Sequence, residues 1–185
     1  MTSDPRPCFA FGSNLSGDEL AAWLACHGLD PTHCLALGPA WLPDHALSFG
    51  YLSRRRGAGA LDLRPRRGSV VQGALIDPSP EGWAALDAKE GVAEGAYARR
   101  EVEVVLPDGH LRDAIAYVVT DSRRCVHQPP AADYLRLVEA GYARWGHDPA
   151  PLHTAARGGD GAYNVDAVFV YGTLLAGESN AHVMQ

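Results

Sequence analysis

The 185-residue chain has little of what would mark a nucleic-acid binder, a membrane protein or a disulfide scaffold. It lacks an excess of positive charge. Sixteen Lys and Arg stand against 22 Asp and Glu, for a formal net charge of −6, so no nucleic-acid partner is expected. No apolar run is long enough to span a bilayer. The residues from Met1 to Pro7 carry neither the basic region nor the apolar core of a signal peptide. The expected location is therefore cytoplasmic, with no membrane partner. The four cysteines, Cys8, Cys26, Cys34 and Cys125, contain no Cys-x-x-Cys pair and are expected to be thiols in a reducing compartment. Cys26-His27 and His33-Cys34 match no common zinc spacing, so neither metal nor cofactor is expected. A phosphate-binding Gly-x-x-x-x-Gly-Lys-[Ser/Thr] loop, a Gly-x-Gly-x-x-Gly fingerprint and a Gly-x-Ser-x-Gly elbow are all missing. No repeat of solenoid period is visible.

What is present is turn-rich: 20 Gly and 13 Pro. The chain is organised around residues 9–15, Phe-Ala-Phe-Gly-Ser-Asn-Leu. An apolar run broken by Gly12 predicts a buried strand, a tight turn and then a helix. Such a turn can aim several backbone N–H groups at one concave spot. Ser16 and Glu19 stand at capping-box spacing, and Gly28 stops the helix. Leu20, Trp23 and Leu24 share a face, which places Trp23 in the core. Residues 34–37, 46–52, 60–63 and 70–76 read as four short strands separated by Gly and Pro. Between them lie Arg54-Arg55-Arg56 and Arg64-Pro65-Arg66-Arg67. These form either a solvated loop or an arginine contact to an anionic group of a substrate.

Residues 79–89 predict a short helix capped by Ser79 and stopped near Gly91, with Trp83 and Leu86 inward. Residues 100–106 and 114–119 predict a hairpin turning at Pro107-Asp108-Gly109. Residues 129–145 predict a last helix with Leu135, Val138, Tyr142 and Trp145 as its buried stripe. Residues 147–166 read as a linker after a domain spanning 1–146. The fold class expected is α+β, a small curved or barrel-like sheet with packed helices.

Residues 9–15 resemble the Tyr/Phe-Ala-Tyr-Gly-Ser-Asn-Leu signature of γ-glutamylcyclotransferases (AIG2-like). Leu86-Asp87-Ala88-Lys89-Glu90-Gly91-Val92, followed by Gly95-Ala96-Tyr97, resembles their second signature. The hairpin and Pro129-Pro130-x-x-x-Tyr134 match the family in order and approximate spacing. The resemblance implies a barrel-like fold with a site at its mouth. It also implies an enzyme that cyclises a γ-glutamyl group to 5-oxoproline and releases the attached amine or amino acid. Glu90 aligns with the family's catalytic glutamate, and a single carboxylate that takes one proton and delivers it to the leaving nitrogen suffices. By the same resemblance, Cys8, Phe9, Ala10, Phe11, Gly12, Ser13 and Asn14 line the glutamyl pocket, and Tyr134 contacts substrate or only packs the helix end. A side chain at Gly12 would hold substrate off the backbone, and a positive φ at that turn would penalise a β-branched residue. Phe11 stands where the family usually has tyrosine, so a hydroxyl is lost there. The partner implied is a small γ-glutamyl compound; whether its leaving side is an amino acid or an amine stays open. A catalytically silent binding module on the same fold is the alternative, and a scaffold using the arginine loops is a third reading.

Residues 167–185 contain Val-Phe-Val-Tyr-Gly-Thr-Leu-Leu, which resembles the opening strand of a second domain of the same superfamily. Two outcomes are expected. Either this apolar strand adds to a sheet, its own or that of a second copy in a homodimer, or residues 146–185 are poorly ordered and the chain is a shortened form of a two-domain protein.

Overall fold

A computed structural model describes residues 6–159 and 161–164. Six strands and four α-helices follow in the order β1 (Cys8–Ala10), α1 (Gly17–Cys26), β2 (Cys34–Ser53), β3 (Ala58–Pro78), α2 (Pro80–Glu90), β4 (Tyr97–Val105), β5 (Leu111–Val119), α3 (Ala132–Trp145), α4 (Ala150–Ala156) and β6 (Tyr163–Asn164). Strand order is β1-β5-β4-β2-β3-β6, and β1 pairs with β3 as well. The first five strands therefore close into a small barrel, as the α+β expectation required. Closure leaves no open edge within that ring. Among the described residues only the β1–β5 pairing is parallel.

The four short strands expected between residues 34 and 76 are in fact two long ones, β2 and β3. The Gly and Pro residues that seemed to punctuate them mark bulges instead. Register shifts fall between Ala36 and Gly38 and between Pro43 and His45. At the second, Asp44 adopts a φ of 55°, and its Oδ1 accepts from the Gly68 N–H at 2.8 Å. An Asx side chain tolerates that conformation. Bulges bend a strand sharply, which is how a two-strand ribbon wraps into a barrel wall.

The barrel is filled by Phe9, Leu42, Leu61, Leu63, Val71, Leu75 and Val104, all 2% exposed or less. Asp62, between Leu61 and Leu63 on β3, is fully buried as well. It accepts from Val119 N–H at 2.9 Å and from Arg124 Nε at 3.0 Å. Helix α2 is delimited as the sequence predicts. Ser79 Oγ accepts from Gly82 N–H at 3.1 Å, and Gly91 takes a left-handed φ of 63°. Gly91 N–H donates to Ala88 O and Val92 N–H to Asp87 O, a Schellman ending. The helix thus ends on Glu90. Asp87, one turn earlier, receives Arg99 Nε and Nη2 at 2.8 and 2.9 Å and Tyr117 Oη at 2.7 Å. This clasp to β4 and β5 holds the end of α2 against the barrel.

Three further expectations change. Trp23 is half-buried rather than in the core, because its Nε1–H reaches Ala85 O at 2.8 Å and draws the ring towards α2. Within the expected linker, Ala150–Ala156 form α4 with Pro151, Leu152 and Ala155 buried, and β6 pairs with Val70 and Ser69 of β3. A seven-residue helix shows too little periodicity to be read from sequence. On α3, Tyr134, Val138, Gly141 and Tyr142 are buried, while Leu135 and Trp145 are partly exposed. The apolar strand and second-domain opening at 167–185 lie outside the described residues. No helix among the described residues is long and apolar enough to cross a membrane.

Candidate active site

Strand β1 ends at Ala10, and the chain turns through Phe11 and Gly12 into a 3-10 turn, Ser13–Leu15. The first bond of that turn runs from Leu15 N–H to Gly12 O at 2.9 Å. The amides of Gly12, Ser13 and Asn14 precede it and have no partner within the turn. Across from them stands the end of α2. Asn14 Nδ2 donates to Glu90 Oε1 at 2.8 Å, so the two sequence motifs meet through one hydrogen bond. They enclose a narrow inner cavity of about 30 Å³, lined by the 9–14 turn with Leu61, Glu90, Tyr97, Tyr117 and Tyr134. The inner cavity adjoins a wider cleft of about 600 Å³ and shares Ser13, Glu90, Tyr97 and Tyr134 with it.

Burial pushes the Glu90 carboxyl above its ordinary range; Lys89, the Asn14 amide, Arg55 and Arg56 pull in the other direction. A carboxylate held this way is poised to exchange a proton nearer neutral pH. Asn14 Oδ1 is buried and has no hydrogen-bond partner among the described residues. With Glu90 it presents two acceptors side by side. Tyr97 Oη donates to Leu61 O at 2.7 Å, and Tyr134 Oη accepts from Leu61 N–H at 3.5 Å. Burial raises both phenols, Tyr134 to about 12, so both stay neutral donors. Tyr134 still has its own O–H to give.

Lys89 borders the wider cleft with a side chain only 1% exposed. Burial lowers its ammonium to about 8, against the attraction of Glu90 and Glu19. The arginine loop between β2 and β3 forms the facing wall. Arg55 lies 5.1 Å over the Trp23 ring and Arg56 4.2 Å over the Tyr134 ring.

Of the residues singled out in the sequence, Phe9, Ala10, Phe11, Gly12, Ser13, Asn14, Glu90 and Tyr134 all line the inner cavity. Cys8 does not. It is buried one residue deeper in β1, paired with Ile76 and Ile115, and desolvation raises its thiol far above the ordinary range. Gly12 has a φ of −125°, so the positive φ expected there is absent. A Cβ would lie 3.5 Å from Tyr134 Oη and 3.6 Å from Leu61 Cδ1, pointing into the cavity. The steric half of that expectation holds and the backbone half does not. Sequence reasoning left out Lys89, Leu61, Tyr97 and Tyr117. Lys89 was visible only as Glu90's neighbour, and nothing in a chain pattern reveals that a helix-end lysine is buried. Among the described residues no cluster of three or more His, Cys, Asp or Glu is placed to hold a metal ion.

The profile of the family described as gamma-glutamyl cyclotransferase, AIG2-like, matches residues 8–136. The chain belongs to this family. A solved gamma-glutamyl cyclotransferase superposes with a TM-score of 0.69 at 21% identity, over 90% of this chain and 93% of its own. An uncharacterised human protein gives 0.68 at 22%, with the same coverage. YkqA from Bacillus subtilis gives 0.69 at 21%, over 84% of this chain and 55% of its own. At these identities the likeness is one of fold. No curated protein matches the chain.

Proposed function

We propose that this member of the gamma-glutamyl cyclotransferase family converts a γ-glutamyl compound to 5-oxoproline with release of its amine. The observation that carries the reading is the Asn14–Glu90 contact, which sets a buried carboxylate beside a turn whose amides have no hydrogen-bond partner within it.

The substrate's α-ammonium would lie against Glu90 and Asn14 Oδ1. Glu90 takes a proton from it. The freed amine attacks the γ-carbonyl carbon, a C–N bond forms, and the carbonyl oxygen becomes an oxyanion. Amides of the 9–14 turn can donate to that oxygen; one such donor contributes about 10²–10³ in rate in known cases. As the tetrahedral centre collapses, Glu90 gives its proton to the original amide nitrogen and the C–N bond to it breaks; Glu90 then takes the second proton from the new ring nitrogen, which becomes the lactam N–H, and passes it to the departing amine, which leaves as an ammonium. The nucleophile is the substrate's own, so the remaining task is to hold it curled in near-attack geometry. Phe9, Phe11 and Leu61 supply an apolar wall, and Tyr134 O–H supplies a donor. The same Glu90 serves both transfers, which requires a carboxyl that neither keeps nor refuses its proton; its burial supports that requirement.

The test is incubation with a panel of γ-glutamyl amino acids and γ-glutamyl amines, with 5-oxoproline measured by mass spectrometry. Release from at least one compound, dependent on enzyme concentration, is the expected result. Binding of panel members without any release would instead identify a silent binding module.

A further inference from the structure

We infer that Lys89, Arg55 and Arg56 form an anion subsite in the wider cleft that selects substrates whose leaving amine carries a carboxylate, γ-glutamyl amino acids over γ-glutamyl amines. The inference rests on the reading of Glu90 as the cyclising centre and specifies its substrate.

The main observation is an ammonium without a ligand. Lys89 Nζ is buried and has no hydrogen-bond partner among the described residues. Its nearest acid oxygen, Glu19 Oε1, is 3.9 Å away, too far for a hydrogen bond. Glu19 is also shared: Arg56 Nη2 lies 3.6 Å from the same oxygen. One carboxylate thus faces two cations. Arg55 adds a third, held by its stack on Trp23. Stacking uses the face of a guanidinium and leaves its N–H edge for a planar carboxylate. The chain as a whole is acidic, at −6, so this cationic wall is a local feature that focuses anions into the cleft.

Position identifies the anion's source. Lys89 and Glu90 are consecutive on α2 and both border the wider cleft. Glu90 works at the scissile amide nitrogen. In an amino acid leaving group the carboxylate is only one carbon beyond that nitrogen, so its binding groups must adjoin the base. A γ-glutamyl amine has nothing to offer there and leaves the buried ammonium unpaired, a mismatch that sites of this kind reject strongly.

The probes are γ-glutamyl-alanine and γ-glutamyl-ethylamide, which differ only by the carboxylate. Two readouts are taken: kcat/KM for 5-oxoproline release, and calorimetric binding to the Glu90→Gln protein, which needs no turnover. The alanine compound is expected to be favoured by about tenfold or more in both, less so at high salt. Lys89→Met and, separately, Arg55→Gln should each shrink the preference through KM. Arg55 is exposed, so its variant tests the subsite without altering the buried lysine. Turnover of both compounds with equal affinity overturns the subsite and leaves the cyclisation reading standing. Carboxylate-dependent binding with no turnover of either supports the subsite and overturns the cyclisation reading. Binding of neither compound overturns both.

Discussion

Lys89→Met should make the protein more stable while impairing the site. The ammonium of Lys89 is lowered from 10.5 to about 8 because burial opposes its charge more than Glu90 and Glu19 favour it. At about 1.36 kcal/mol per unit, the charged form costs the fold about 3 kcal/mol. The sign follows from proton counting. In the unfolded chain the lysine keeps its proton up to its ordinary value, whereas the folded chain releases it near pH 8. Between these limits the unfolded state binds more protons, so stability rises with pH; below pH 8 the full cost is present. Methionine keeps a flexible apolar stem of similar length and removes the charge. The variant should therefore gain about 3 kcal/mol at pH 7, and the gain should close between pH 8 and 10.5. Urea unfolding of both proteins at intervals across that range, with m compared to confirm two-state behaviour, measures it. A variant no more stable than the parent at pH 7, or a gap that does not change with pH, would refute the argument that Lys89 is an uncompensated buried charge. Retention of a destabilising group is what a binding role requires.

Glu90→Gln should lower kcat by about 10²–10⁴ in the 5-oxoproline assay, since the amide keeps the shape and loses the proton exchange; a near-parental rate would remove Glu90 from the chemistry. Asn14→Ala removes a hydrogen bond that lowers the Glu90 carboxyl, so the acid limb of kcat/KM should move to higher pH, and an unmoved limb would show the contact to be idle. Gly12→Val should weaken substrate binding, because its side chain enters the cavity; calorimetry on the folded variant measures the loss. Gly59→Ala drives a Cβ into Gln128 O, far inside contact distance. That backbone contact cannot yield cheaply, so it should cost about 1–3 kcal/mol in urea unfolding and, by shifting the start of α3, raise KM through Tyr134.

The legible parts were those carried by short-range rules. Ser79, Pro80 and Gly91 bound α2 because caps and a left-handed stop act within a few residues. Ser16 Oγ accepts from Glu19 N–H at 3.3 Å for the same reason. The 107–109 turn joins β4 and β5 as its composition demands. The misjudged parts depended on partners far along the chain. Pro43 and Gly68 look like strand breakers until two long strands pair and a bulge absorbs them. Trp23 looks like core until Ala85 O draws its indole to the cleft.

By itself the sequence determined the local turns, the helix ends and the family motifs, and it singled out Glu90 and the turn at residues 9–14 as candidates. Those are matters of dihedral preference and of residue types that only one chemistry uses together. Tertiary structure alone decided that Glu90 and Asn14, 76 positions apart, share a hydrogen bond. It also decided that Cys8 sits in the core while the residues after it face the cavity, and that the arginine loop and Lys89 border one cleft. Burial is a property of what packs against a side chain. Residues 54–56 and 89 acquire a common field only when the barrel closes and brings the β2–β3 loop against the end of α2.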